Sequence, residues 1–404
     1  MYLSQKQFVP AIIVIGVVAG LFYWIGGKEA NAPVTTSTSS TTPRATAGVA
    51  TGAAKPLEDW TAAPKGADQK GIGAITSKPA PFSGKLAPEF VRPGGFSNTD
   101  PFLLKDLRGK RVVLVEFWTT SSINAGRTIP YLNDWYAKYH NFGLTIIAIH
   151  TPRFVFERSK TVVDQFAYAH NMSYPLIIDN GAETWTAYKN TTWPHLYLVD
   201  LDGRIVYDRT GEGAYAVTEQ KMLELLNTRA AKLKLPAPPD QKLTQPTGDT
   251  SDLAQLGSSE AFFGSSRNKN LANGIAGKSG VQTFDTLSEP KLNMEYLFGG
   301  WNINSEYAEN LSEHTSLIYR FHAKHAFTIM GSQKLMRVKV LLDGKPLEQS
   351  SAGKDIRFEK GESIFYVDHE RLYDIVNLGS GYGDHTIELT PEAGGLDVYT
   401  LTFS

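Results

Sequence analysis

The chain has 404 residues, which at roughly 150 residues per domain allows two or three domains. Hydrophobic residues make up 42% of it, so disorder throughout is excluded, and 40 basic against 41 acidic residues leave no basic excess to support a nucleic-acid partner. The cysteine count is zero, which excludes disulfides, thiolate nucleophiles, Cys-ligated zinc and Fe–S clusters.

From the N-terminus, residues 1–27 read as a short cytoplasmic end and a transmembrane helix. Phe8 to Gly27 is an uncharged run long enough to cross a bilayer, with Tyr23 and Trp24 at its far end, where aromatic rings favour the interface. Lys6 precedes it, while Lys28 and Glu29 cancel after it, so the N-terminus is expected in the cytoplasm and the remainder outside it, a single-pass cell-membrane protein. Ala30-Asn31-Ala32 has the form of a signal-peptidase site, but the apolar run exceeds the roughly 7–15 residues of a signal peptide. Residues 28–85 are rich in Ser, Thr, Pro and Ala, with too little to bury to repay ordering. They read as a tether spanning roughly 40 Å on average.

Residues 86–234 alternate strands and helices. Val112–Phe117 and Leu144–Ile149 are near-continuous apolar runs, the mark of strands covered on both faces. Helices are expected over Asn124–Tyr139, Val162–Ala169 and Glu219–Leu226, with a short strand at Leu176–Ile178. His195–Asp200 and Arg204–Tyr207 form a hairpin around Asp202-Gly203. This pattern describes an α/β domain with a mixed sheet flanked by helices.

Residues 235–253 begin with Leu235-Pro236-Ala237-Pro238-Pro239 and read as a linker that couples the neighbours weakly. Residues 254–404 show alternating strands at Ser316–His322, Phe327–Met330, Arg337–Leu342, Ser363–Val367, His385–Leu389 and Val398–Phe403. Short strands divided by Gly, Asp and Pro turns argue an all-β sandwich, large enough to fold alone.

The segment Phe117-Trp118-Thr119-Thr120-Ser121-Ser122-Ile123-Asn124-Ala125-Gly126-Arg127-Thr128-Ile129-Pro130 resembles the active-site segment of TlpA/DipZ-type membrane-anchored thiol–disulfide oxidoreductases, FWxxSCxNCxRxxP in that family. Further landmarks follow in order: Ile149-His150-Thr151-Pro152, Phe154-Val155-Phe156-Glu157, Tyr174-Pro175, Trp193-Pro194 and Gly211-Glu212-Gly213. Beyond the linker, Ser259–Gly264, Tyr319–Ala323, Val338–Gly344 and Arg371-Leu372-Tyr373 resemble the C-terminal module of DipZ proteins, a sandwich similar to carbohydrate-binding modules. The resemblance implies a thioredoxin-like fold for 86–234 and places the two family cysteines at Ser122 and Ala125.

No catalytic residue of that reaction is intact. In the family a thiolate at the helix N-terminus attacks a substrate disulfide and the second sulfur resolves the intermediate. An alcohol at 122 and a methyl group at 125 do neither. Three origins stay open: a natural degenerate member, a cysteine-substituted variant of an active enzyme, and a serine chemistry that no neighbouring His or Lys in the sequence supports. The resemblance makes Glu116 the buried acid beneath the helix. With no thiol to serve, it reads as an ordinary strand-end acid, hydrogen-bonded or solvated. Pro194 is expected in the cis form, as the family's proline facing the site.

A groove for extended peptides is accordingly expected from Trp118, Thr119, Ser121, Ile123, Asn124, Trp193 and Pro194. Envelope glycans are the alternative ligand, with Tyr382, in the loop Gly379–Gly383, as the candidate stacking platform. No cofactor and no metal site is expected. His322 and His325, on opposite faces of one continuing strand, do not converge, and His150 reads as a packed histidine. Trp301, Tyr366 and Tyr399 read as sandwich core.

Overall fold

The computed structural model describes residues 84–239, 242–245, 252, 254–285, 289–379 and 381–404. The expected membrane segment and nearly all of the tether lie outside them. Among the described residues no helix is long and apolar enough to cross a membrane.

The first domain runs β1 (Gly95–Ser97), β2 (Val112–Trp118), α1 (Ile123–Tyr139), β3 (Leu144–His150), α2 (Lys160–Ala169), β4 (Leu176–Ile178), α3 (Glu183–Ala187), β5 (His195–Val199), β6 (Ile205–Thr210) and α4 (Tyr215–Leu233). The sheet order is β1-β4-β3-β2-β5-β6. β2, β3 and β4 are parallel, and the remaining pairings are antiparallel. This mixed sheet is the thioredoxin-like arrangement expected from the sequence.

All seven residues of β2 are buried, and strict alternation divides them between two cores. Val112, Leu114 and Trp118 pack with Ile129, Leu132 and Trp135 of α1. Val113, Val115 and Phe117 pack with Trp185, Tyr188 and Tyr197 on the opposite face. Each such side chain contributes roughly 1.5–3 kcal/mol on burial, so a one-residue slip of β2 is strongly disfavoured. That register fixes where the chain leaves the sheet to enter α1. The β5–β6 turn closes as expected, with the Gly203 amide donating to the Asp200 carbonyl at 3.0 Å.

The second domain runs β7 (Ala261–Phe262), β8 (Gly280–Phe284), β9 (Glu295–Ile303), β10 (Ala308–Asn310), β11 (Ser316–Ala323), β12 (His325–Ser332), β13 (Met336–Leu342), β14 (Lys345–Pro346), β15 (Arg357–Glu359), β16 (Glu362–Val367), β17 (Arg371–Asn377), β18 (Gly383–Pro391) and β19 (Leu396–Phe403). One layer is β15-β16-β13-β18-β11-β9 and the other holds β9, β10, β19, β12 and β17. β9 belongs to both because it bends: Glu295–Phe298 pairs with β11 and Gly299–Ile303 with β8. Gly299 has φ +81°, and a Cβ there would lie 2.3 Å from the His314 carbonyl oxygen, so the bend demands glycine.

Three sandwich expectations are corrected. β11 does not continue through His325. The chain turns at Lys324 and passes from one layer to the other, because the Lys324 and His325 amides both bond the Ser404 carbonyl. Trp301 is core, but Tyr366 is half-buried with its hydroxyl on the Glu359 carboxylate at 3.2 Å. Tyr399 belongs to a separate cluster facing the first domain.

That cluster overturns the expectation of weakly coupled domains. Phe154 and Phe156 of the first domain pack against Tyr399, with ring centroids 5.2 and 5.4 Å away, and share a core with Ile329, Phe262, Tyr307 and Leu372. Arg153 forms an ion pair with Glu260, and the Arg267 guanidinium lies 4.9 Å from the Phe154 ring and 4.1 Å from Phe262. The linker too is pinned. The Thr244 amide donates to the buried Glu219 carboxylate at 2.7 Å, and Lys138 donates to the Thr244 hydroxyl at 2.9 Å. Aromatic rings on the Phe154 loop, which carry no amphipathic period, are what the composition of the linker does not reveal.

Candidate functional site

The site is built where β2 ends and α1 begins. Ser122 is the N-cap of α1, in extended conformation, and its Oγ accepts from the Ala125 amide at 3.2 Å. A serine cap of this kind is worth about 1 kcal/mol over alanine. Ser122 is half-buried and faces outward, whereas Ala125, one turn on, is fully buried among Trp118, Ile129 and Tyr174. The pair therefore has one half-buried and one fully sheltered member. Among the described residues no His, Lys or carboxylate bonds Ser122, so its hydroxyl serves as a cap without a base to activate it.

Beneath the helix lies Glu116. It shares the α1-facing side of β2 with Leu114 and Trp118, is completely buried, and neither carboxyl oxygen has a hydrogen-bond partner. The expectation of a hydrogen-bonded or solvated strand-end acid is thus corrected. Glu116 sits within β2, which is covered on both faces, so its side chain has no route to water. Burial pushes its pKa well above the ordinary carboxylate range, because a low-dielectric interior disfavours the charged form. The Tyr174 hydroxyl is likewise unpartnered, and burial followed by the Glu116 charge pushes its pKa up. His150 is buried with its ring 5.1 Å from Trp118 and both nitrogens unpartnered. Burial lowers its pKa to about 4, with the Glu157 charge pulling the other way, and it is a packed histidine.

Glu157 was not picked out as a functional residue from sequence, although it stands in the Phe154-Val155-Phe156-Glu157 landmark. It is fully buried. Its Oε1 accepts from the Thr119 hydroxyl (2.5 Å), the Thr120 hydroxyl (2.8 Å) and the Ser121 amide (2.8 Å). Its Oε2 accepts from the amides of Arg153 (2.7 Å) and Phe154 (2.9 Å). Burial alone would raise its pKa, but His150 and these donors hold it below the ordinary value, so a carboxylate persists in the interior. An acid at the third position of the turn Val155–Arg158 was the available signal. Its partners Thr119, Thr120 and Ser121, more than thirty residues away, were not.

The remaining groove residues divide by exposure. Trp118, Thr119, Ser121 and Pro194 are buried, while Ile123, Asn124 and Trp193 are half-buried and reachable. Trp118 points into the core by strand alternation, and Thr119 and the Ser121 amide turn toward Glu157. Of the expected groove residues, Ile123, Asn124 and Trp193 keep solvent-accessible surface, as does Ser122. The Trp193–Pro194 bond is cis, and the Trp193 ring lies 4.4 Å from Trp185. At the rim, Arg127 pairs with Glu212 at 3.3 Å and donates to the Ser404 hydroxyl at 2.6 Å.

Tyr382 lies far along the chain from these residues, half-buried, with its hydroxyl accepting from the Asp252 amide at 2.6 Å. His322 pairs with Asp384 at 2.6 Å, and His325 stands in the other layer. Among the described residues no group of three or more His, Asp or Glu side chains is arranged to hold a metal.

Residues 83–208 match the AhpC/TSA family, and residues 258–404 match the family described as the thioredoxin-like C-terminal domain. Protein DipZ of Mycobacterium bovis is 32% identical over 320 residues, covering 78% of this chain and 42% of that protein, and DipZ of Mycobacterium tuberculosis matches equally. The chain thus spans about two fifths of the length of these relatives. Thiol-disulfide oxidoreductase ResA of Bacillus thuringiensis is 31% identical over 144 residues, covering 35% of this chain and 76% of that protein. Among solved structures, a thiol-disulfide isomerase from Corynebacterium glutamicum aligns with TM-score 0.32 at 20% identity, over 35% of this chain and 96% of that one.

Proposed function

The chain belongs to the TlpA/DipZ-type family of thiol–disulfide oxidoreductases, and we propose that it is a membrane-tethered, extracytoplasmic member that binds extended peptides without exchanging disulfides. The observation that carries this reading is the pair Ser122 and Ala125, a capping alcohol and a buried methyl group where the family reaction needs two sulfurs. Disulfide exchange requires a thiolate, and the chain contains no cysteine. The half-buried Trp193, Ile123 and Asn124 offer an aromatic ring, an apolar side chain and an amide to a peptide laid across the helix end. The apolar run Phe8–Gly27 supports the tether. Alkaline carbonate extraction is expected to leave the full chain in the membrane pellet.

Glu116 favours a second reading, a cysteine-substituted form of an active enzyme, because a buried unpartnered acid has no use in a peptide groove. One set of experiments separates the two. The full chain is expected to reduce insulin disulfides no faster than a no-protein control. It is expected to bind a carboxymethylated, unfolded polypeptide, with Trp193→Ala weakening that binding roughly tenfold or more. Absence of binding removes the peptide reading. Ser122→Cys with Ala125→Cys is expected to form an intramolecular disulfide and regain insulin reduction. A double variant that stays fully reduced under oxidising conditions refutes the assignment of the site.

A further inference from the structure

The Glu157 carboxylate joins two loops. On one side it gathers Thr119, Thr120 and Ser121, the residues that deliver the chain to the Ser122 cap. On the other it gathers the amides of Arg153 and Phe154, at the start of its own short turn. That turn has little internal structure to hold it, being one 3-10 turn of four residues with Val155 59% exposed. Asn180 of the first domain donates to the Arg158 carbonyl at 2.8 Å, and the sandwich supplies further support. Glu306 accepts from the Val155 amide at 2.9 Å, Glu260 pairs with Arg153, and Phe154 is enclosed between Arg267 and Tyr399.

We propose that the C-terminal sandwich is a positioning element of the groove, acting on the helix N-terminus through Glu157. The chain of contacts is continuous: sandwich to the 153–157 turn, turn to Glu157, Glu157 to 119–121, and that loop to the Ser122 cap. A loosened turn takes the five-donor carboxylate with it, and the loop before α1 then loses an anchor shared by Thr119, Thr120 and Ser121. Arg267 suits this arrangement. Burial and then Arg153 lower its pKa to about 10, with Glu260 and Glu306 holding it up, so it stays charged at neutral pH and remains tied to these acids. Glu157 is accordingly a positioning residue, since it touches the loop and leaves the groove surface to others. The inference rests on the groove being the binding site, but its test uses no peptide and so fails or succeeds separately.

The test places a single thiol at the cap. The full chain carrying Ser122→Cys is alkylated with iodoacetamide across a pH series, which reads the thiol pKa. With the Ala125 amide and helix end beside it, that pKa is expected below the free value of about 8.5. Glu157→Ala and Glu306→Ala are then made separately in this background. Each removes a negative charge, which by itself lowers the pKa of a nearby thiol, so a rise reports lost geometry. The expected result is a rise of about 0.5 or more toward the free value in both variants, larger for Glu157→Ala. An unchanged or lowered pKa in both overturns the proposal. A rise in Glu157→Ala alone overturns the role of the sandwich. Should Glu157→Ala fail to fold, Glu306→Ala decides by the same reading.

Discussion

Replacing Glu116 by leucine is expected to stabilise the protein. The side chain is completely buried and both carboxyl oxygens lack partners, so the native state carries an unsatisfied polar group. Such a group costs about 1–3 kcal/mol in protein mutational data, and leucine of similar volume removes it while filling the same space between β2 and α1. The titration adds a pH-dependent part. Glu116 has a folded pKa well above its ordinary value of 4.5, so the folded state holds its proton more tightly than the unfolded state does. The advantage of that proton is full below about pH 4.5 and is lost as pH rises toward the folded pKa, at up to about 1.4 kcal/mol per pH unit. The Glu116→Leu variant lacks this slope, so its lead over the parent widens from pH 5 to pH 8. Glu116→Gln should remove the slope but keep the unsatisfied group. Thermal unfolding of the full chain at pH 5, 6, 7 and 8 measures both parts, with roughly 2–4 °C in Tm for each kcal/mol. A Glu116→Leu variant that is less stable than the parent, or a lead that stays flat with pH, would falsify the assignment of an unpartnered carboxyl with a raised pKa in this interior.

Phe154→Ala, which empties the interdomain cluster, is expected to cost about 3–5 kcal/mol and to split calorimetric unfolding into two transitions. A single unshifted transition would show that the domains do not depend on this contact. Thr244→Val removes the hydroxyl that Lys138 and Asp134 share while keeping the amide on Glu219. It is expected to cost about 1 kcal/mol and to speed proteolysis within 235–253. Cleavage at the parental rate would mean that the strap does not hold the linker.

Much of the architecture was legible in the residues themselves. VVLVEFW and LTIIAIH could only be strands covered on both faces, because their side chains leave neither face for water, and the structure buries them at the centre of the sheet. Asp202-Gly203 marked the hairpin, the pattern from Asn124 marked the first helix, and the absence of sulfur at 122 and 125 is a fact of sequence that no folding alters. What the sequence could not reveal depends on partners distant along the chain. Glu157 and the Thr119 hydroxyl are 38 residues apart, and Val155 and Glu306 are 151 apart. No local period or propensity marks such pairs, since each arises only when separate elements have packed. The same holds for Tyr399, whose alternation is that of any sandwich strand, yet which faces the other domain. Exposure in the groove was decided in the same way. Thr119 and Ser121 are small polar residues in a loop, which sequence places at the surface, but a buried carboxylate with five acceptor bonds to make draws them inward. Local chemistry determined the strands, the hairpin and the absence of sulfur at 122 and 125, and tertiary packing determined which residues stay exposed, because burial and satisfaction of charge are properties of the assembled neighbourhood and not of the segment.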